Sequence, residues 1–342
     1  MNWEQVRTFI KELGEPAYRA DQLRKPVFEE GISSYAEIST WPESLKKALG
    51  GQDPILSLTL KEMTVSNDQR CWKAVLECRD GKKVETVLLR PSEARWTTCI
   101  SSQVGCAVGC PFCATGQMGL KRNLSAEEIT DQVLFWRQFM RREKIAGRLS
   151  HVVYMGMGEP FSNYAEVSRS LKILMDQSLF NLAARHISVS TSGIAPKIAL
   201  LAEDFPQVNF ALSLHAASDE LRNFLVPVNK AYPLEKIREA LKAYLQKSSR
   251  KIFLEYILLK GTNDRPQDAE NLIRFVRSVG PLELLHVNLI IFNQTDSPFE
   301  ATAENDARVF QKKIMSAKIH STVRQNLGRD IEGACGQLIL KQ

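Results

Sequence analysis

Three cysteines lie in one short loop, "CAVGCPFC", as Cys106, Cys110 and Cys113. Their spacing is C-x3-C-x2-C. Thiolates this close can hold three irons of a [4Fe–4S] cluster, whose usual ligand is cysteine. No fourth cysteine follows at short range. One iron is then left open to a substrate or cosubstrate, which points to catalysis rather than electron storage. Two plainer readings use the same residues. Structural zinc normally takes four ligands in two spaced pairs. His151 or His186 would have to complete such a set, and neither sits in a zinc-like pair. The other reading is three ordinary buried thiols.

Further chemistry-bearing residues follow the loop. In "YMGMGEP", Gly156 and Gly158 let a ligand approach the backbone. Glu159 can accept hydrogen bonds from an ammonium group. The segment lacks G-x-G-x-x-G spacing, so a dinucleotide site is a weaker alternative. "VSTSG" carries Ser190, "LSLHA" carries Ser213, Leu214 and His215, and "FNQT" carries Asn293. A lone histidine such as His215 is most often a satisfied core residue. Cys71 and Cys78 read as packing residues.

These residues need elements to position them. From about residue 95, strands and helices alternate. "RWTTCISS" runs into the cysteine loop, and "HVVYM", "HISVS", "VNFALSL", "KIFLEYILL" and "LLHVNLIIF" are further strands. "NLSAEEITDQVLFWRQFM" reads as a helix with a Ser125–Glu128 capping box. Ile129, Val133, Trp136 and Met140 form its apolar face. Alternation implies a parallel sheet, and six strands fit an open or partial barrel. Active sites in such barrels lie at the C-terminal strand ends, where the motifs fall.

The predicted fold is α/β, with a partial (β/α)6 barrel over 95–300. Residues 1–50 form a small helical domain that is expected to bind RNA. Residues 51–94 form a β-meander, and 301–342 form a C-terminal extension with a helix near 304–317 and a short "STVR" strand.

The chain has 342 residues, 44% of them hydrophobic, and a net charge of +6. Basic residues cluster at Arg137, Arg141, Arg142, Lys144 and Arg148. Lys121 and Arg122 follow the loop, and Arg19, Arg24 and Lys25 lie near the start. Such patches suit a phosphate backbone. No stretch reaches the roughly 18 apolar residues of a membrane span, and no hydrophobic signal region opens the chain. Seven cysteines, an odd number, do not suggest a disulfide scaffold. A reducing, cytoplasmic setting is expected.

The cysteine spacing resembles that of radical S-adenosylmethionine (SAM) enzymes, in which the SAM amino and carboxylate groups fill the open iron site. "CISSQVGC", "GMGEP", "STSG", "SLHA" and "RDIEGACGQL" together resemble the RlmN/Cfr family of radical-SAM RNA methyltransferases, over nearly the whole chain. The resemblance implies a [4Fe–4S] cluster on Cys106, Cys110 and Cys113. It implies SAM contacts at Gly158, Glu159, Ser190, Ser213, Leu214, His215 and Asn293. It also implies that Cys335, in "ACGQL", accepts a methyl group, and that Cys99 resolves a covalent adduct. Glu85 of "VETVLL" is implied as the base; on a β-ribbon a carboxylate is otherwise most often a solvated charge.

The implied route uses two SAM molecules per methylation. One methylates Cys335. The second yields a 5′-deoxyadenosyl radical that takes a hydrogen from that methyl. The methylene adds to an adenine ring, and Cys99 releases the product by forming a disulfide with Cys335. RlmN-type chains methylate adenosine C2 and Cfr-type chains C8; Pro160 after "GMGE" favours the RlmN type. The implied substrates are an adenosine in the peptidyl-transferase region of 23S rRNA and an anticodon-loop adenosine of tRNA. A flavodoxin or ferredoxin is implied as electron donor, and a monomer is expected. Two alternatives remain at this point: a different radical-SAM reaction such as protein glycyl-radical activation, and a non-catalytic iron–sulfur RNA-binding protein. The first gives Cys99 and Cys335 no purpose, and the second leaves the SAM-site residues idle.

Overall fold

The computed structural model describes residues 1, 3–52, 54–93 and 95–338. The last four residues of the expected C-terminal extension lie outside the described residues. One ten-stranded sheet runs through the molecule, and its strands are neighbours in chain order. They are β1 (Leu58–Val65), β2 (Cys71–Cys78), β3 (Lys83–Ser92), β4 (Arg95–Cys99), β5 (Leu149–Tyr154), β6 (Ile187–Thr191), β7 (Asn209–Ser213), β8 (Ile252–Leu258), β9 (Leu285–Ile291) and β10 (His320–Val323).

Strands β1 to β4 pair antiparallel. From β4 onward each pairing is parallel. The six expected strands are β4 to β9, and "STVR" adds a seventh as β10. The meander, expected as a separate segment, is hydrogen-bonded into the first barrel strand: Val87 pairs with Cys99. This register puts Glu85, Val87 and Cys99 on one face, because side chains alternate along a strand.

Helices cross over between the parallel strands. Between β4 and β5, α4 (Ala126–Arg142) opens with the reciprocal Ser125–Glu128 capping box. Its Ile129, Val133, Trp136 and Met140 are buried. Burial of such a stripe, at about 25 cal/mol per Å² of apolar surface, holds this helix to the sheet. Before β1, α1 (Trp3–Glu12), α2 (Tyr18–Arg24) and α3 (Glu43–Gln52) join the same apolar core as the sheet. Gly14 lies just past α1 in the left-handed region, as a helix stop requires. No helix among the described residues is long and apolar enough to cross a membrane.

A second, smaller core forms at the C-terminal strand ends. Phe112, Ala216, Leu225, Val226, Ile257 and Phe292 pack there against Val108, Cys110 and Cys113. The cysteine loop is thus seated on its own apolar bed.

Candidate active site

A cavity opens at the C-terminal ends of the parallel strands. Cys106, Cys110 and Cys113 line it together with Gly158, Glu159, Ser190, Ser213, His215 and Cys335. The sequence separates these residues by more than two hundred positions. The parallel sheet brings them together because each follows a strand that ends on the same side.

Burial raises all three loop thiols, Cys106 to about 12. Thiolates here need a cationic partner, and a coordinating metal deprotonates a thiol outright. Among the described residues, no three His, Cys, Asp or Glu side chains are grouped tightly enough for a single metal ion. Zinc would draw its thiolates to about 2.3 Å from one centre. His151 and His186 pack tilted against each other, ring centroids 4.5 Å apart, near the opposite strand ends, outside this cavity, and complete no such set. Three thiols on one cavity wall suit a broader iron–sulfur cube.

Glu159 is buried, and its carboxylate is held by three donors. Phe161 N–H donates at 2.9 Å, Thr191 Oγ1 at 2.7 Å and Ser192 N–H at 2.6 Å. Burial raises its pKa and these hydrogen bonds oppose the rise. Gly158 has φ +99°, and a Cβ there would come within 2.5 Å of Gln103 Cβ. The turn therefore needs glycine. Pro160 starts the short 3-10 helix that Glu159 caps, so its observed role is local.

Ser190 and Ser213 face each other across β6 and β7, with hydroxyls 3.3 Å apart. His215 has φ +57°, which is uncommon for a side chain of its size. Several bonds fix this backbone: the N–H groups of Leu214 and His215 both donate to Glu255 O, and Asn263 Nδ2 donates to His215 O at 2.8 Å. The His215 ring accepts from Ile257 N–H through Nδ1 at 3.1 Å. Burial, with help from Arg222, lowers its pKa to about 3. The ring is neutral at physiological pH, with its proton on Nε2 as a donor.

Leu214 is fully buried, outside the cavity lining. Its N–H bonds to Glu255 and its carbonyl accepts from Arg222 Nε. Asn293 is buried and donates through Nδ2 to the carbonyl of Cys335 at 3.1 Å. Its Oδ1 has no partner among the described residues. A buried orphan acceptor costs about 1–3 kcal/mol, so this atom fits a site meant for a polar ligand such as SAM.

The remaining thiols occupy a second cavity. Cys99 and Cys335 both line it, and Cys335, Met155, Ile290 and Arg324 line both cavities. All seven cysteines are free thiols. Cys335 is partly open to solvent, yet protein packs its other sides. Burial raises its thiol, and the Arg324 guanidinium opposes that rise. Burial raises Cys99 further. Cys71 packs below the segment leading to Cys335: a Cβ at Gly328 would meet its sulfur at 2.3 Å.

Glu85 lies elsewhere. It is 2% exposed and lines a third cavity with Lys73, Asp330 and Glu332. The Lys73 ammonium is 3.2 Å from its carboxylate. The strand register still gives it the face of Cys99.

The sequence reading passed over Arg222, Glu255 and Arg324. Arg222 is fully buried, and donates to the carbonyls of Ser192, Leu214 and Ser213. It ties two site-forming strand ends together. Single arginines and glutamates carry no spacing signal, so nothing in the chain marks them. One residue of the basic stretch on α4 also differs from expectation. Arg137 is buried, bonds the carbonyls of Phe28 and Phe180, and stacks over the Phe180 ring. Arg141 pairs with Glu37, Arg142 with Glu143, and Arg122 with Asp80 and Glu128. Arg137 thus fastens the molecule internally, whereas Arg141, Arg142, Lys144 and Arg148 are exposed.

Comparison with known proteins agrees with this geometry. Residues 100–276 match the Radical SAM superfamily model. The chain is 40% identical to a probable dual-specificity RNA methyltransferase RlmN from Chlorobium phaeobacteroides, over 99% of this chain and 93% of that one. It is 38% identical to one so named from Staphylococcus aureus, over 100% and 92%. A crystal structure of a radical SAM methyltransferase from Sphaerobacter thermophilus superposes with a TM-score of 0.92 at 38% identity, covering 99% of this chain and 97% of that one.

Proposed function

The chain belongs to the RlmN family within the radical SAM superfamily, and on that premise we propose that it methylates C2 of an adenosine in 23S rRNA and in a tRNA anticodon loop. It is a SAM-dependent RNA methyltransferase whose cofactors are a [4Fe–4S] cluster and SAM. Cys106, Cys110 and Cys113 would hold the cluster. When bound and reduced, the cluster supplies the electron that splits SAM into methionine and a hydrogen-abstracting 5′-deoxyadenosyl radical.

The residues of this chain do the rest. Glu159, Ser190, Ser213 and His215 orient SAM from the walls of the first cavity, and Asn293 acts from beside them, where it holds the Cys335 carbonyl. Cys335 gives up its proton and takes a methyl on sulfur. After that methyl loses one hydrogen, its carbon bonds to C2 of the adenine, and the adduct's unpaired electron would return to the oxidised cluster that Cys106, Cys110 and Cys113 would hold. Glu85 takes the ring proton. The Cys99 thiolate then attacks the Cys335 sulfur. An S–S bond forms and the S–C bond breaks. The electron pair stays on carbon, which takes a proton and becomes the new methyl group. An external thiol reductant restores Cys99 and Cys335. A small flavodoxin- or ferredoxin-type donor would supply electrons, in the cytoplasm, to a monomeric enzyme.

One observation carries this reading: of the two thiols, Cys335 alone faces both cavities, whereas Cys99 faces only the second. A methyl acceptor must reach SAM and substrate in turn, and a resolving thiol needs to reach only the adduct. Glu85 is buried on the sheet face of Cys99, with the Lys73 ammonium 3.2 Å from its carboxylate.

The test is product analysis. Reduced holoenzyme is incubated with SAM and either a 23S rRNA fragment or tRNA, and the nucleosides are separated by chromatography and mass spectrometry. The expected product is 2-methyladenosine. Formation of 8-methyladenosine would assign the Cfr-like reaction, and no methylated adenosine would overturn the proposal.

A further inference from the structure

A single helical turn, Ala114–Gln117, follows Cys113, the last thiol of the cysteine loop. Its first two residues bond to the C-terminal segment. The Ala114 N–H donates to Gly336 O at 2.9 Å. The Thr115 hydroxyl, on a buried residue, donates to Leu338 O at 2.6 Å. Cys335 stands directly before the first of these acceptors, and its own carbonyl accepts from Asn293 Nδ2. Gly336 has φ +85°, a left-handed backbone that lets the chain turn between the thiol and its anchors.

Upstream of Cys335 the same segment is tied to the meander. Asn67 N–H donates to Asp330 Oδ2 at 2.7 Å, and Gly328 and Gly333 pack on the Cys71 sulfur. Those contacts fix where the segment crosses the sheet. The Ala114 and Thr115 bonds fix where its thiol stops, and they come from the loop that would carry the cluster. A thiol that takes a methyl from SAM must keep its distance to a SAM placed by that loop. A shared frame provides this.

We propose that the turn after Cys113 is a clasp that registers Cys335 to the cysteine loop, with Thr115 as its positioning residue. The inference rests on the methyltransferase reading above. Leu338 is buried, so water does not replace the hydroxyl when it is removed, and the segment is held less tightly. Displacing a reacting atom by about 1 Å can slow its reaction about 100-fold.

The experiment uses holoenzyme reconstituted with its cluster. Thr115→Val keeps the shape of the side chain and removes the hydroxyl. Ala114→Pro removes the other donor, and proline suits the first position of a helical turn. Two quantities are compared with wild type. One is backbone hydrogen exchange over residues 334–338. The other is transfer of a deuterated methyl from SAM to the peptide that contains Cys335, read by mass. Thr115→Val should speed exchange about tenfold, the effect of one lost buried hydrogen bond. It should slow Cys335 methylation by about 10- to 100-fold, with iron content and SAM affinity at wild-type levels. Ala114→Pro should act in the same direction, and Thr115→Ser, which keeps the hydroxyl, should restore both quantities. Unchanged exchange in either variant that folds would overturn the clasp. Faster exchange with wild-type methylation would overturn the positioning role. So would loss of iron or SAM affinity in step with methylation, which would make Thr115 a support of the cysteine loop alone. No labelled methyl on wild-type Cys335 would sink the methyltransferase reading, and the registering role with it, whatever the exchange rates.

Discussion

Two groups of residues are equally conspicuous in this chain, and the fold treats them differently. The cysteine loop converges with Glu159, Ser190, Ser213 and His215 on one cavity. The basic stretch of α4 is divided: Arg137 is buried and bonded to two carbonyls, whereas Arg141, paired with Glu37, and Arg142 stay exposed. The difference lies in what each signal specifies. Three cysteines at fixed spacing on one loop can meet one ligand wherever that loop goes. A run of charges specifies nothing about direction, because each long side chain takes whatever acceptor the fold brings near. Arg137 shows the limit of charge counting: burial with Arg148 nearby lowers its pKa to about 10, and it fastens the N-terminal helices to α4.

The sharpest test of this contrast is replacement within each group. Cys106→Ala should reduce SAM cleavage to background, read as 5′-deoxyadenosine by chromatography, whereas Arg142→Ala should leave cleavage at the wild-type level. Equal losses would break the comparison.

The two exchangeable thiols extend it. Cys335→Ala should abolish methyl transfer while leaving SAM binding at the cluster intact. Cys99→Ala should accumulate a protein–RNA covalent adduct on denaturing gels with labelled RNA. Normal turnover in the Cys99 variant would remove its resolving role.

A third measurement concerns Arg137. Arg137→Met orphans two carbonyls and should lower unfolding stability by about 2–4 kcal/mol in denaturant titrations. The salt dependence of RNA binding should stay as it is. A phosphate contact would behave oppositely, lowering the salt slope by about 0.9 with little change in stability. The same packing bears on truncation: Val6, Ile10, Leu23 and Phe28 belong to the common core, so removing residues 1–50 would expose apolar surface besides any RNA contact.

The smallest expected effect is acid sensitivity. The pKa of His215 is about 3 in the folded state, below its ordinary value of 6.5. The unfolded chain therefore binds a proton at higher pH than the folded one, and stability falls as pH drops below 6.5. From pH 6.5 to 5 the loss from this group is about 1.6 kcal/mol. His151, His186 and His286 are shifted in the same direction. His215→Asn tolerates the left-handed backbone and should flatten the acid slope. An unchanged slope would mean that His215 does not titrate on unfolding.

Much of the molecule was legible beforehand, and for local reasons. The Ser125–Glu128 box and the stripe Ile129, Val133, Trp136 and Met140 fix α4 within a few turns of chain. The meander strands follow from runs of β-forming residues split by polar turns, and the loop cysteines from their spacing. The strand-end positions of Ser190, Ser213 and His215 follow from alternation alone, since all parallel strands end on one side. Other features depend on chain segments far apart in sequence. The antiparallel meander joins the barrel through the pairing of Val87 with Cys99, and a register carries no sequence mark of its own. Arg222, Glu255 and Arg324 acquire meaning only from what surrounds them. That Cys335 reaches both cavities and Cys99 only one depends on how the segment after β10 folds back across the sheet. Sequence by itself determined which side chains could do chemistry and at which strand ends they sit, because spacing and periodicity are local properties. Tertiary structure alone decided which thiol meets which cavity and which charges turn inward, because both depend on contacts between distant parts of the chain.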